Sequence, residues 1–413
     1  MMLTSQVLND IASEYGQSFY LLDVDRFRQN YDELNTAFTR LYPPSRIAYS
    51  YKTNYIPRIC TLVAQMGGFA EVVSDMEYRL ALKVGVSPEK VFFNGPYKDA
   101  LAVEELLLAG GTVNIDSESD LRMVIEIASK HKENVLSIGI RCNFDIEDGV
   151  TSRFGFDVDG HEFLLALRTI RDLGNLRLDG LHCHFAARGI EPWIRRTNRM
   201  LDLVKTHFRK PPRFVSLGGG LYGKMDDSLK MQFDNNIPSY EDYANVVADP
   251  FGACFKEYPL AEQPMLIIEP GTALVADAME FASKVISIKR VRGKTFATLL
   301  GSAQNINPTL SRKNLPISIY HDTTSKHVQD IYHDVDFVGY TCIESDYLYR
   351  GFSGKLAVGD YVVFSNVGSY SLVLKPPFIL PNFAVVEYDT RYGSIELVRE
   401  NETFEDVFRT FKF

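Results

Sequence analysis

The sequence predicts an α/β protein in which a (β/α)8 TIM barrel precedes a C-terminal antiparallel β domain. Three observations lead to this prediction. Over roughly the first 280 residues, eight short β-branched runs alternate with longer amphipathic segments, and each run ends in a polar or glycine-rich element. Eight strands with helices between them in about 250 residues favour a parallel barrel over an open doubly wound sheet. Beyond residue 280 the apolar period shortens to two, as in antiparallel strands.

The barrel is expected to occupy residues 21–280. Helical periodicity is clear in MEYRLALKVG and SESDLRMVIEIASKHK, where apolar residues recur at steps of three and four. The predicted strands share an apolar body and a polar or glycine end, and they are RIAYSY, FAEVV, KVFFNG, TVNID, VLSIGIRC, LDGLHCHF, RFVSLGG and MLIIEPG.

The β domain is expected to occupy residues 281–413. Its strands are predicted in EFASKVISIKRVRGKTFATLL, DYVVFSNVGSYSLVL and NFAVVEYDTRYGSIELVRE, with hairpin turns at RVRGKT and DTRYGS. Residues 1–20 are expected to form an N-terminal segment that ends within the run SFYLL, which starts at Ser18 and precedes the first barrel strand. Because chain ends often meet, we expect this run to add an N-terminal strand to the β domain.

Composition narrows the possible partners and the compartment. With 413 residues, 46% of them apolar and 23% charged, the chain is long enough for about two folded domains. The net charge of -9 comes from dispersed acids, and no Lys/Arg run is present, so neither nucleic acid nor a membrane surface is an expected partner. The start lacks the pattern of a signal peptide, and no apolar stretch approaches about 18 residues. Five widely spaced cysteines fit reduced thiols, so a cytoplasmic location is expected.

Candidate functional residues follow the predicted strands, at the barrel end where active sites lie. Lys52 follows the first strand, and a lone lysine there commonly extends to water. His182 and His184 form a His-x-His pair that suits either a metal or an aromatic ring packed flat on an imidazole. Gly218–Gly220 form either a tight turn or an anion cradle. Glu269 needs a cation or a protonated ring nitrogen as its partner.

One cofactor accounts for all of these residue types together. Pyridoxal phosphate needs an amine for its Schiff base, an anion site, an acid at its pyridine nitrogen and a packed ring face. Burial of the lysine would favour the uncharged, nucleophilic amine. No metal is expected.

The ordered motifs resemble one known family. They run from YSYKTN through AEVVS, NGPYK, NIDSESDL, SRFGF, GLHCHF, SLGGG and EPG to GYTCIESD and VGSY. This series resembles the fold-type III pyridoxal phosphate decarboxylases, which include the ornithine, arginine, diaminopimelate and carboxynorspermidine decarboxylases, and it is most similar to the diaminopimelate branch. The resemblance implies the barrel and β domain of alanine racemase and ornithine decarboxylase. It also implies a homodimer whose active sites use residues of both subunits.

The resemblance implies roles for individual residues. Lys52 is the Schiff-base lysine, His184 stacks on the cofactor ring, and Glu269 holds the pyridine nitrogen. Cys342 comes from the partner subunit and returns a proton to the substrate carbanion, although an inert buried thiol is the plain alternative. The remaining cofactor contacts are Ser216, Gly218, Gly219, Gly220, Gly271 and Tyr370, and the remaining substrate contacts are Arg153 beside Phe154, Thr272, Glu344 and Asp346.

Three positions depart from the family pattern. Ala187 stands where relatives have a serine that contacts phosphate, so we expect either that one phosphate hydrogen bond is absent or that Arg188 or Ser216 takes its place. Thr272 replaces an arginine after the EPG motif, and Ile343 replaces an acid after Cys342. The pocket thereby lacks the arginine that would bind a substrate carboxylate and the acid that would bind a distal ammonium, so it is poorly matched to a small zwitterionic side chain.

These observations predict a pyridoxal-phosphate-dependent α-decarboxylase that acts on a modified or larger amino acid. Three alternatives stay open. The chain is a diaminopimelate decarboxylase proper, or a fold-related racemase, or a catalytically dead regulator. Glu269 disfavours the racemase, because such enzymes usually place an arginine at the pyridine nitrogen. The survival of Lys52, His184 and Cys342 disfavours the regulator.

Overall fold

The computed structural model describes residues 3–233, 236–306, 308–310, 313–322, 329–389 and 391–413. The chain forms two compact units. One contains residues 31–222 and 235–273, and the other contains residues 1–30, 223–234 and 274–413. The predicted boundaries at residues 20 and 280 thus differ from the observed ones, because residues 21–30, 223–234 and 274–280 of the predicted barrel belong to the other unit.

The first unit is a closed barrel of eight parallel strands, as predicted. Each strand pairs with its neighbours in chain order, and the last strand pairs with the first, so the sheet has no open edge. The strands are Ser45–Ser50, Phe69–Val72, Val91–Phe93, Thr112–Ile115, Leu136–Asn143, Leu176–His182, Phe214–Ser216 and Met265–Ile268.

Large side chains and glycines together fill the barrel interior. Phe92 and Phe214 meet edge to face with their ring centroids 4.9 Å apart. Gly180 lies against them, because a Cβ there would be 2.5 Å from the Phe214 carbonyl oxygen. The barrel is therefore a packed core, and chemistry is left to its rim.

Helices surround the strands, and polar caps start several of them. Ser74 and Ser117 each accept a hydrogen bond from an amide in the first turn of the following helix, and Ser239 forms a capping box with Asp242. The helices are Val24–Leu41, Pro57–Gln65, Asp75–Lys83, Ala100–Leu108, Glu118–Lys130, His161–Asp172, Ile190–His207 and Tyr240–Phe255, with 3-10 turns at Tyr51–Thr53, Pro88–Lys90 and Leu260–Glu262 and a short strand at Phe156–Asp157.

The second unit is built on a β-sheet that the N-terminal strand Ser18–Leu22 joins. This strand pairs antiparallel with Met279–Val291 and parallel with Val385–Asp389. The other strands are Lys294–Leu299, Ile317–Tyr320, Asp330–Val338, Tyr347–Leu356, Tyr361–Phe364 and Ser394–Arg399, and the short helices are Ser5–Tyr15, Asp227–Lys230, Thr272–Val275, Ala276–Ala278, Ala303–Ile306, Pro308–Leu310 and Phe404–Phe408.

Two features of this sheet differ from the sequence prediction. The sheet is mixed, because Lys294–Leu299 also pairs parallel with Asp330–Val338. In the predicted strand DYVVFSNVGSYSLVL, only Tyr361–Phe364 is extended. Asn366 and Tyr370 have φ values of 62° and 59°, and a left-handed backbone turns the chain out of the sheet. The predicted RVRGKT turn is a hairpin whose Arg292 and Gly293 both have positive φ. Thr390 in the other predicted turn lies outside the described residues.

Candidate active site

The polar residues predicted from the sequence gather at the carboxyl ends of the barrel strands. Lys52 lies in the 3-10 turn directly after the first strand, and Glu269 directly follows the last one. His182 and Ser216 are the final residues of two neighbouring strands. Their side chains therefore meet at one end of the barrel, which is the end that carries catalysis in this architecture.

Glu269 is a buried carboxylate with several donors. Its Oε1 accepts hydrogen bonds from Ser216 Oγ at 2.7 Å and Asn94 Nδ2 at 3.1 Å, and its Oε2 lies 3.2 Å from His182 Nε2. Burial opposes ionisation of Glu269, but the contact with His182 Nε2 and the nearby charge of Lys52 hold its pKa well below the usual range. An ionised carboxylate here can keep a proton on a ring nitrogen that faces it.

His184 presents an uncharged imidazole beside this carboxylate. Its Nδ1 accepts a hydrogen bond from the Gly219 amide at 3.0 Å, which fixes the orientation of the ring. Burial, together with the charge of Lys52, lowers the pKa of His184 well below its ordinary value. A neutral, oriented imidazole suits packing against a flat ring.

Lys52 has a carboxylate partner that sequence reasoning missed. Its Nζ lies 2.6 Å from Oε2 of Glu71, and Ser50 Oγ donates to the same oxygen. The Lys52 side chain is 32% exposed and the Glu71 side chain only 1%. The lysine expected to be buried is thus only partly so, because its amine reaches the rim of the barrel and has a counter-ion there. The signal for Glu71 was an acid inside the apolar run FAEVV.

Asn94 links the two carboxylates of the site and was also missed. Its Nδ2 lies 3.1 Å from both Glu71 Oε1 and Glu269 Oε1, and its Oδ1 accepts from Asn114 Nδ2 at 2.7 Å. Lys52 and Glu269 thus belong to one hydrogen-bonded network.

The glycine loop after the seventh strand excludes any side chain. Gly218 and Gly220 have φ values of +69° and +91°, which favour glycine. A Cβ on Gly219 would lie 2.4 Å from the Glu269 carbonyl oxygen. Gly271 is equally tight, since a Cβ there would lie 1.9 Å from Thr53 Oγ1. These positions therefore require glycine because the loop backbone packs directly against neighbouring protein atoms at the rim.

Ser216 and Arg188, the two residues considered as replacements for the phosphate contact missing at Ala187, differ in whether their side chains are already hydrogen-bonded. The Ser216 hydroxyl donates to Glu269 and accepts from the Gly218 amide at 3.2 Å, so it is already engaged. The Arg188 guanidinium lies 5.5 Å from the centre of the Tyr222 ring and lines a cavity of about 650 Å³. Arg188 is thus the better placed of the two for an anion.

The remaining predicted barrel residues lie at the surface or at a helix start. The exposed Arg153 guanidinium stacks 4.1 Å from the centre of the Phe154 ring, while Thr272 begins the short helix Thr272–Val275.

The predicted residues Cys342, Glu344, Asp346 and Tyr370 lie in the second unit. The Cys342 thiol and the Glu344 side chain are exposed in the turn that precedes strand Tyr347–Leu356. Asp346 is buried, and its carboxylate accepts from the Ala303 amide at 2.7 Å and from the Thr341 hydroxyl. Asp346 therefore fixes this turn, a role that the sequence did not indicate.

The residues at the barrel rim fit pyridoxal phosphate. Lys52 supplies an amine, Glu269 an ionised carboxylate and His184 a neutral ring, and the glycine loop brings the Gly219 amide against that ring. Among the described residues, no cluster of three or more histidine, cysteine or acidic side chains has the arrangement of a metal site. None of the helices in that part of the chain is both long and apolar enough to cross a membrane.

Comparison with known proteins agrees with this fit. The family model described as "Pyridoxal-dependent decarboxylase, pyridoxal binding domain" matches residues 26–276. The chain is similar to the diaminopimelate decarboxylase of Methanocaldococcus jannaschii, with 26% identity over 96% of this chain and 92% of that protein. It is also similar to a probable chloroplastic diaminopimelate decarboxylase of Oryza sativa, with 28% identity over 95% of this chain and 79% of that protein.

A solved structure shares the fold over nearly the whole chain. The diaminopimelate decarboxylase of M. jannaschii in complex with L-lysine has a TM-score of 0.84 and 25% identity, and the match covers 98% of this chain and 94% of that one. The matched fold thus extends over both units described above, and that protein was solved in complex with L-lysine.

Proposed function

The chain belongs to the pyridoxal-dependent decarboxylase family, and on that basis we propose that it removes the α-carboxylate of a modified or larger amino acid. The enzyme is a pyridoxal-phosphate-dependent amino-acid decarboxylase. The observation that carries the site assignment is the single network joining Lys52, Glu71, Asn94 and Glu269 at the barrel rim.

Each residue of this network has a task in the proposed reaction. When bound, the cofactor supplies an electron sink for the bond between the α-carbon and its carboxylate. Lys52 Nζ is the amine that would hold the cofactor covalently, and Glu71 Oε2, at 2.6 Å, can take the proton that this amine must lose. Glu269 would keep a proton on the ring nitrogen of the cofactor, and the neutral His184 ring would pack on the cofactor face.

Cys342 is proposed to complete the reaction. Loss of carbon dioxide leaves an electron pair at the α-carbon, and a proton from Cys342 Sγ would convert it to a C–H bond, giving an amine product. The exposed position of this thiol suits a residue that serves the active site of a second subunit. We therefore propose a cytoplasmic homodimer with shared active sites.

The proposed substrate class rests on three side chains. Thr272 cannot hold an anion as an arginine does, and Ala187 offers no hydroxyl. Ile343 places an exposed apolar side chain beside Cys342, where an acid would attract a distal ammonium. Glu344 and Arg153 remain as exposed candidates for contacts with a longer substrate.

Diaminopimelate is a second candidate substrate. The diaminopimelate decarboxylase of M. jannaschii covers nearly the whole chain, and its solved structure holds L-lysine. Lysine is what remains of diaminopimelate after one carboxylate is lost, so that pocket accepts the product of this reaction.

A substrate panel tests the proposal. The purified protein would be incubated with pyridoxal phosphate and with amino acids, diamino acids and their conjugates, and released carbon dioxide and amine would be detected by mass. The Lys52→Ala variant should show neither product. Strongest activity on diaminopimelate would contradict the larger-substrate proposal, and inversion at the α-carbon without carbon dioxide would indicate a racemase. A protein that binds no cofactor would instead be a regulator.

A further inference from the structure

The helix Ile190–His207 places two buried side chains under the glycine loop. Arg196 Nη1 donates to the carbonyl oxygens of Gly219 at 2.8 Å and Leu217 at 3.2 Å, and Nη2 donates to that of Ala187 at 2.8 Å. Trp193, one turn earlier, donates from Nε1 to the Gly220 carbonyl oxygen at 3.1 Å. Four carbonyl groups from two rim segments are thus held toward one helix.

This pattern fixes the direction of the amides in the same segments. In a trans peptide the C=O and the N–H of the next residue point in opposite directions. Because the carbonyls of Gly219 and Gly220 face the helix, the amides of Gly220 and Leu221 point away from it, and the amide of Arg188 follows from Ala187 in the same way. Within the described part of the chain these three amides have no hydrogen-bond acceptor.

The charge of Arg196 is met by carbonyl oxygens and an aromatic ring, and in the described chain no carboxylate contacts it. Its side chain is fully buried and lies 3.9 Å from the centre of the Trp193 ring. Its Nε is buried and has no hydrogen-bond acceptor among the described residues. Burial lowers the pKa of Arg196 to about 10, which reflects the cost of keeping this charge out of water. An anion bound at the loop would offset that cost.

We propose that Arg196 is a positioning residue for the phosphate of the cofactor, acting through the backbone of the glycine loop and of Ala187. The inference rests on the proposed function, since it needs the cofactor at the barrel rim. Arg196 orders the amides that meet the phosphate and places a positive charge directly behind them. It thereby compensates for the hydroxyl missing at Ala187 and the guanidinium missing at Thr272.

Binding of pyridoxal phosphate and of pyridoxal, which lacks the phosphate, separates this role from a purely structural one. Affinities would be measured by equilibrium dialysis for the wild type, Arg196→Met and Arg196→Lys. The control is Arg195→Met, because Arg195 is the neighbouring arginine and pairs with Glu147 at the surface. Thermal unfolding of each protein without cofactor would be recorded in parallel.

Arg196→Met should lower the affinity for pyridoxal phosphate about 10-fold or more, since charge-assisted hydrogen bonds contribute free energies of that size. The affinity for pyridoxal should stay nearly unchanged. Arg196→Lys keeps the positive charge but loses the two-pronged guanidinium, so it should lower the affinity for pyridoxal phosphate by a smaller factor and leave the affinity for pyridoxal unchanged. If Arg196→Met fails to fold, the affinities of Arg196→Lys test the inference. Arg195→Met should change neither affinity.

If a folded Arg196 variant loses affinity for both ligands equally, or loses no affinity for pyridoxal phosphate, the inference is overturned and the proposed function stays intact. A wild-type protein that binds neither ligand would overturn the proposed function itself.

Discussion

Lys52 Nζ and Glu71 Oε2 are 2.6 Å apart, and the carboxylate is almost completely buried. A buried acid in contact with a half-exposed amine is a proton acceptor placed where that amine must lose a proton before it can attack a carbonyl carbon.

Glu71→Gln keeps the size of the side chain but removes its charge. We expect cofactor attachment at Lys52 and turnover to slow by about 100-fold, in line with the contribution of a positioned proton acceptor. The rate of formation of the borohydride-reducible bond measures this effect. Glu105→Gln is the control, because Glu105 pairs with Arg79 at the surface. Equal rates in wild type and Glu71→Gln would remove Glu71 from the mechanism.

Glu269→Gln should lower decarboxylation more than it lowers cofactor affinity. An amide at this position holds no negative charge against a protonated ring nitrogen, so the electron sink weakens while the glycine loop and Lys52 remain. We expect a loss of about 100-fold or more in kcat, as for removal of one preorganised electrostatic partner. Turnover measured at saturating cofactor tests this, and an unchanged kcat would contradict the role assigned to Glu269.

Glu77 makes stability depend on pH. Its side chain is 4% exposed, and burial raises the pKa of Glu77 to about 7. Between the unfolded value of about 4.3 and 7, the native state binds more protons than the unfolded state, so stability falls as pH rises through this window. The loss amounts to about 4 kcal/mol at 1.4 kcal/mol per unit.

Urea unfolding at pH 5 and pH 8 checks this for the wild type and Glu77→Gln. The variant keeps an acceptor for the Val73 amide, which lies 2.8 Å from the Glu77 carboxylate, but it has no proton to lose. Its stability should therefore change less between the two pH values. Parallel curves for both proteins would show that Glu77 stays charged.

Gly219→Ala should disturb the loop and leave the barrel folded. The new Cβ would lie 2.4 Å from the Glu269 carbonyl oxygen, so the loop must shift at a cost of about 1–3 kcal/mol. We expect a clear loss of affinity for pyridoxal phosphate. Gly174→Ala is the matched control, since a Cβ at Gly174 has no atom within 4 Å. Wild-type affinity in Gly219→Ala would show that the loop does not bind the cofactor.

The barrel was predictable because each strand is apolar and each ends in a polar or glycine element. Parallel strands bring those ends to one face, so topology predicts that Lys52, His184 and Glu269 lie at the same end, while their individual roles came from the family resemblance. Glu71 and Asn94 were missed, because a strand position does not tell which groups stand opposite it across the barrel. Arg196 was missed for a similar reason, since its three acceptors lie in loops whose path the sequence does not reveal.

In the second unit, alternation of apolar residues suggested more strand than exists. The backbone leaves the sheet at Asn366, and the positive φ of that residue has no trace in an alternating pattern. The parallel partners of two strands were equally invisible, because period two identifies a strand but not the direction of its neighbour.

Trp193 is the only tryptophan in the chain, and its indole nitrogen is bonded to the carbonyl of Gly220. The single indole fluorophore of the chain therefore lies beside the glycine loop that is proposed to bind the cofactor phosphate. Changes in its intrinsic fluorescence should report occupancy there in real time, without a dye or an added label.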